Sequence, residues 1–216
     1  MDKLTQAFHF RHACKVFDET KKISSQDIEY ILEAGRTSPS SFGMEPWHFV
    51  VISDEALKQQ LKPICYGQAQ ISSSSHLIIV LYRKASQFTM QSEYLRQTVQ
   101  RSLPPQGVSF DLDAACQYFI NYFTNGLPQG VSMDNWAEMQ CYIPCANMMT
   151  AAAYHQIDSC AIGGFQHDKL MAELEKVKPQ FNNNNFGVAL CLAFGYRKNE
   201  QTPQYRWSQN DTTTFL

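Results

Sequence analysis

Apolar residues along this 216-residue chain recur at two different spacings. Ile28, Ile31 and Leu32 fall at the three-and-four interval of a helix that buries one face. Ser24 and Asp27 stand at capping-box distance, so the helix is predicted to begin at Ser24 or Ser25. Phe49 to Ile52 and Leu77 to Tyr82 are short continuous apolar runs, which predicts buried strands. Ser53-Asp54-Glu55 places acidic residues at the start of a short helix running towards Pro63. A short strand is predicted from Ser159 to Phe165, a helix from Asp168 to Val177, and another buried strand from Phe186 to Gly195.

From Met133 to His155 the apolar residues go almost all the way round the predicted helix, so it belongs in a core or a dimer interface. Pro144 lies inside it and is expected to bend it or remove one hydrogen bond. Residues 86–123 are polar and helix-compatible, with a break at Pro104-Pro105, and the last twenty residues suggest no helix. Asn182 to Asn185 reads as a loop, and no internal repeat is visible. Helices and strands mixed in this order indicate α+β or α/β.

A hydrophobic fraction of 44% and a charged fraction of 18% are those of a globular protein. The net charge of −2 without a basic face points away from nucleic acid. No apolar run has the length of a bilayer span, and Met1 to Gln6 carries no apolar signal core. Seven cysteines without a C-x-x-C pair suit a reducing compartment, so a cytoplasmic protein is expected.

One connection carries more than it needs. Ser38-Pro39-Ser40-Ser41-Phe42-Gly43-Met44-Glu45-Pro46-Trp47-His48-Phe49 joins a helix to a strand with hydroxyls, prolines and a glycine, the makings of a rigid loop that a ligand can approach closely. Arg11 and Lys15 lie four apart, which on a helix or tight turn points both cations one way. With Arg206 they would make a phosphate site, though three solvated surface cations are the plainer reading. Gly163-Gly164 either brings backbone amides against a flat ligand or simply turns the chain. Cys160 suits a small buried residue better than a redox centre. Cys141 and Cys145 suit helix packing, and His48 and His76 are as well read as structural histidines as acid/base groups. No metal-binding spacing, nucleophile elbow, P-loop or dinucleotide glycine motif is present.

Taken in order, Arg11-His12-Ala13-Cys14-Lys15, the Ser38 to Phe49 loop, Asp158-Ser159-Cys160-Ala161-Ile162-Gly163-Gly164-Phe165 and Arg206 give a chain that resembles the FMN-dependent nitroreductase family from about residue 8 to 207. The resemblance implies a single α+β domain over 1–216. Its central mixed or antiparallel sheet would be flanked by helices, in an interlocked homodimer with two FMN sites at the interface. Arg11, His12, Ala13, Lys15 and Arg206 would take FMN-binding positions, with Pro39, Ser40, Ser41 and Gly43 arriving from the partner. Gln68 and Gln70 would hold the pyrimidine end of the ring. Ala161, Ile162, Gly163 and Gly164 would lie at the N5 edge.

The sequence departs from the family pattern in places. Ala13 stands where serine is frequent, Gly67 and Gln70 where many relatives have Asn and Lys, and Gln204 where many have Lys. Fewer positive charges near FMN should weaken phosphate binding or lower the flavin potential. Cys14, Cys160 and the Gly-Gly pair together resemble an NADPH-dependent branch. The implied activity is two-electron, ping-pong hydride transfer from NADH or NADPH through FMN to a nitroaromatic or quinone. Lys15 would stabilise the reduced flavin, Phe42 would wall the open face, and no side chain would serve as acid or base. Alternatives are a flavin reductase or other reductase of the same fold, and a non-catalytic FMN-binding sensor using Cys160.

Overall fold

The computed structural model describes residues 1–102 and 111–216. A helix α1 (Lys3–Phe10) precedes α2 (Ser25–Arg36), β1 (Trp47–Ile52), α3 (Glu55–Ile64), α4 (Ala69–Ser73) and β2 (His76–Arg83). Then come α5 (Glu93–Arg101), α6 (Leu112–Asn125), the long α7 (Met133–Tyr154), β3 (Asp158–Ile162), α8 (His167–Val177), β4 (Phe186–Gly195) and a single turn α9 (Gln209–Thr212). The four strands form one sheet in the order β1-β2-β4-β3, with every pairing antiparallel. The Pro104-Pro105 break lies outside the described residues.

Helices cover both faces of the sheet, which is why β2 and β4 need no polar alternation. Leu77, Ile79 and Leu81 of β2 join Leu61 of α3 and Leu170, Met171 and Leu174 of α8 in one core. Ile78 and Val80 join Ile28 and Ile31 of α2 and Cys141, Cys145 and Met148 of α7 in the other. A third cluster packs α5 and α6 on the first half of α7, through Leu95, Val99, Cys116, Phe123 and Trp136. In β4, Val188 belongs to the first core, but Ala189 and Leu190 both belong to the second. The register with β2 shifts there, from Val80↔Leu190 to Leu81↔Val188, leaving Ala189 unpaired as a bulge.

Two expectations change: the last twenty residues hold the helical turn α9, where none was indicated, and the cation pair is not helical. Arg11 and Lys15 are not on a helix or tight turn: α1 ends at Arg11, whose backbone is extended (φ −68°, ψ 125°), and Ala13 makes a parallel bridge to Ser159. Beyond Arg11, exposed Ala13 and Lys15 flank buried Cys14, the two-residue alternation of extended backbone. The apolar residues of α7 divide between core and surface. Trp136, Ala137, Cys141, Pro144, Cys145 and Met148 are buried, while Met139, Tyr142 and Ile143 form an exposed stripe at helical spacing. Among the described residues no helix is long and apolar enough to cross a membrane.

Candidate functional site

The turn after β3 is the centre of one group of candidate residues. Gly163 is exposed, and a Cβ placed on it would meet nothing within 4 Å. A Cβ on Gly164 would instead meet the Gln68 amide nitrogen at 3.4 Å. Neither backbone N–H of the pair finds an acceptor among the described residues. The turn therefore presents two donors and a flat, side-chain-free surface. Gln68 donates from Nε2 to the Gly164 carbonyl at 2.8 Å and to the Cys65 carbonyl at 2.9 Å. Gln70, buried, donates to Gln68 Oε1 at 3.0 Å and also reaches the Cys160 thiol.

Lys15 completes this group, its Nζ lying 3.8 Å from Cys160 Sγ. The extended stretch 11–15 is held against β3 by Cys14 N–H donating to the Ser159 carbonyl at 3.0 Å. Its foundation is an ion pair on a buried carboxylate: the half-buried Arg197 meets Asp158 through Nε at 2.9 Å and Nη2 at 2.7 Å. His12 turns its ring into this network, with Nδ1 2.8 Å from the Phe10 carbonyl and Nε2 3.7 Å from Asp158. Any ligand contact of His12 is therefore left to its backbone. Ala13, Lys15, Ala161 and Gly163 are all exposed, whereas Ile162 is buried.

Burial pushes the Cys160 thiol up, against a smaller lowering by Lys15 and Gln70. Burial likewise raises Cys14 to about 11, with the Asp158 charge adding to it. Thiols held protonated and 1% or less exposed are poor nucleophiles and poor redox sensors.

The second group is the Ser38 to Trp47 loop, whose backbone takes unusual angles and is tied at several points. Phe42, Gly43 and Glu45 all have positive φ, at 56°, 63° and 47°. Such backbone costs about 1 kcal/mol or more at each non-glycine, so the loop needs ties. Ser40 Oγ accepts from the Glu45 N–H at 2.7 Å, Ser41 N–H donates to Gln140 at 2.8 Å, and Asn147 donates to Ser38 Oγ at 2.8 Å. Gln140 and Asn147 are on α7, so this loop is docked there and not on the Gly163 turn. No hydrogen bond among the described residues joins the two groups. Trp47 begins β1 opposite Tyr82 and is 8% exposed, an anchor for the loop. Pro39 and Gly43 remain exposed.

Sequence reasoning left three features unread. Phe42 does not stand alone but meets Tyr122 at 4.6 Å and Phe119 at 5.5 Å, so α6 supplies the rest of that aromatic wall. Gln204 donates to the carbonyls of Phe8, at 2.9 Å, His9, at 3.1 Å, and Arg11, closing the carbonyl end of α1. The Asp158–Arg197 pair joins positions 39 apart, and only an acidic residue beside an apolar strand hinted at it. Arg206 makes no hydrogen bond or ion pair with any residue of the Gly163 group among the described residues. Its guanidinium donates to the Tyr205 carbonyl, and the tail beyond Gln204 is exposed, with Tyr205, Trp207 and Phe215 all more than 80% accessible. His48 packs its ring 5.0 Å from Phe181, far from either group in its contacts, and His76 pairs with Ser75.

A planar, polar-edged cofactor suits the Gly163 turn by these facts: unpaired amides, open space over the glycine, and a lysine and a linked pair of amide side chains beside it. The family model described as the Nitroreductase family matches residues 9–196. The chain is 35% identical over 216 residues to YfkO of Bacillus subtilis (strain 168), provisionally named an NAD(P)H nitroreductase, covering 99% of this chain and 97% of that protein. A Staphylococcus epidermidis protein with the same provisional name is 39% identical over 221 residues, covering 99% and 96%. Among solved structures, ydfN of Bacillus subtilis aligns with a TM-score of 0.79 at 20% identity, covering 99% of both chains. A protein of Exiguobacterium sibiricum, provisionally called a nitroreductase and crystallised in complex with FMN, aligns at 0.77 with 23% identity, covering 100% and 98%.

Proposed function

The chain belongs to the nitroreductase family, and on that premise we propose that it is an FMN-dependent NAD(P)H oxidoreductase acting on nitroaromatic or quinone acceptors. The observation that carries the reading is the Gly163–Gly164 turn, with its open glycine face and unpaired amides beside Lys15, Gln68 and Gln70. FMN, when bound, supplies the acceptance and delivery of hydride that no side chain here can perform. The chain supplies position and charge. Gly163 and Gly164 offer N–H donors to one edge of the ring. Lys15 places a cation where negative charge grows on reduction. Gln70, buried and bonded to Gln68, fixes the polar end, and Arg11 opens the extended stretch.

The second half of the site is assigned to a partner subunit. Pro39, Ser40, Ser41 and Gly43 sit on a loop fixed to α7, and α7 also carries the exposed Met139, Tyr142 and Ile143 stripe. A second copy packed on that stripe would bring its loop, its Phe42 wall and its Arg206-bearing tail towards the open Gly163 turn. The sensor reading through Cys160 is disfavoured, because that thiol is buried and held protonated.

The test is an absorbance spectrum of the purified protein, followed by anaerobic titration with NADH and NADPH and re-oxidation by a nitroaromatic or a quinone. A yellow protein bleached by either nucleotide and restored by an acceptor supports the assignment. A colourless protein that cannot be reconstituted with FMN overturns it. Flavin bleaching without acceptor turnover would move the assignment to flavin reduction or to a binding role.

A further inference from the structure

Arg83 ends β2 and stands outside the site described above. Its guanidinium lies 4.1 Å over the ring of Tyr94 and 5.1 Å from that of Phe186. Among the described residues it makes no ion pair and its side chain donates no hydrogen bond, and its Nε–H is sealed from water without an acceptor. The aromatic faces attract the cation but offer no acceptor to its five N–H groups. Burial disfavours the charge, yet a guanidinium does not give up its proton in a protein. A cation partly withdrawn from water and left without an anion is a costly arrangement.

The same guanidinium lines a surface cleft of about 580 Å³. Its other walls are largely neutral and hydrophilic, drawn from Ser86, Gln87, Thr89, Gln91 and Ser92. The single acidic group in the lining, Glu93, accepts instead from Gln97 at 2.8 Å, and it forms no pair with Arg83. Ser86 and Gln87 donate to Asn184 and Asn185, so the cleft offers one uncompensated cation with the Thr89 hydroxyl and the Gln91 amide beside it, a donor set that receives a carboxylate or phosphate. Tyr94, under the guanidinium, also donates its hydroxyl to the Met44 carbonyl at 2.7 Å, which ties the cleft to the Ser38 to Trp47 loop.

We propose that the cleft around Arg83 is an anion-binding site for the carboxylate or phosphate group of a small hydrophilic molecule. Binding is measured by isothermal titration on the protein as purified, with inorganic phosphate, adenosine 2′-phosphate and benzoate as probes. Wild type binds at least one of the three saturably. Arg83→Gln weakens that probe about tenfold or more, the loss of one charge-assisted fork. Glu93→Gln, at an exposed position, strengthens it a few-fold, and Gln91→Glu, also exposed, weakens it. The probe that responds identifies the source: free phosphate, a phosphorylated nucleotide or a carboxylate. No saturable binding of any probe, or equal affinity in Arg83→Gln, overturns the proposal. Should Arg83→Gln fail to fold, the opposite signs expected for Glu93→Gln and Gln91→Glu decide it, and any other pattern overturns it.

Discussion

The Gln68 side-chain amide donates to the Gly164 carbonyl at 2.8 Å, tying the loop before α4 to the turn after β3. The same nitrogen holds the Cys65 carbonyl at 2.9 Å. Gln68→Ala removes the donor from both, and losing such bonds costs about 1–3 kcal/mol. The turn is then free to shift. The variant should stay folded, lose part of that stability in urea titration, and bind FMN about tenfold more weakly by absorbance titration. Unchanged FMN affinity would remove Gln68 from the site.

Gly163→Ala separates folding from binding. The added Cβ meets nothing within 4 Å of its own chain, and the backbone there does not require positive φ. Stability should change by no more than about 0.5 kcal/mol. If a planar ring lies over the glycine, the methyl group occupies its place and bound flavin absorbance falls. A variant as yellow as wild type would show that the ring is elsewhere.

Asp158→Asn strikes the foundation of the 11–15 stretch. Asp158 is 4% exposed and faces Arg197 and the ring of His12. Breaking a buried pair on one side costs about 3 kcal/mol or more, with Arg197's partial exposure holding the effect to the lower end. The urea midpoint should fall accordingly, and Lys15 should lose its fixed position. A loss under about 1 kcal/mol would mean that the pair is dispensable.

Acid should weaken the fold through two half-buried histidines. Burial holds His48 below its ordinary value of 6.5, with Arg83 and Lys178 adding to the effect, and it holds His76 down likewise, with Lys58 and Lys22 adding. Below about pH 6.5 the unfolded chain takes up these protons more readily than the folded one. Their contribution to stability is therefore complete above that value and declines as the pH falls beneath it. Urea midpoints measured from pH 7.5 to 5.5 should drop, and the His48→Gln, His76→Gln double variant should show a flatter profile.

Deleting residues 205–216 tests the partner's role. Tyr205, Trp207 and Phe215 are exposed in the chain, so their removal costs little internal packing. If the tail engages a second copy, sedimentation should show dimer giving way to monomer, with flavin lost in step. A truncated protein that sediments like the full chain and keeps its colour would leave the tail without that role.

Much of this was legible because both central strands are covered on both sides and so appear as unbroken apolar runs. Ser24 caps α2 and Asp54 caps α3, each accepting the N–H three residues on, as their spacing indicated. Helix α1 was not legible, since Leu4 and Phe8 are about half exposed and leave no buried stripe; its start is fixed by Asp2 accepting from the Thr5 N–H at 3.0 Å. Strand β1 begins two residues before the apolar run because Trp47 and His48 pair with Tyr82 and Leu81. The cation pair was read with helical geometry, although the bridge to Ser159 that makes it extended joins residues 146 apart. Long-range hydrogen bonds of that kind, including those of Gln204 and Arg197, have no local signature.

The bulge at Ala189 sets the phase of everything upstream of it in β4. Downstream, odd-numbered residues such as Cys191 and Ala193 face α8; upstream, even-numbered Phe186 and Val188 do. Were Ala189 paired in regular alternation opposite Leu81, the bulge would be gone and Phe186 would rotate to the opposite side of the sheet. The ring beneath Arg83 would vanish from its place while every residue of the cleft lining remained in the sequence. In this chain a single unpaired alanine decides which surface the end of β4 addresses.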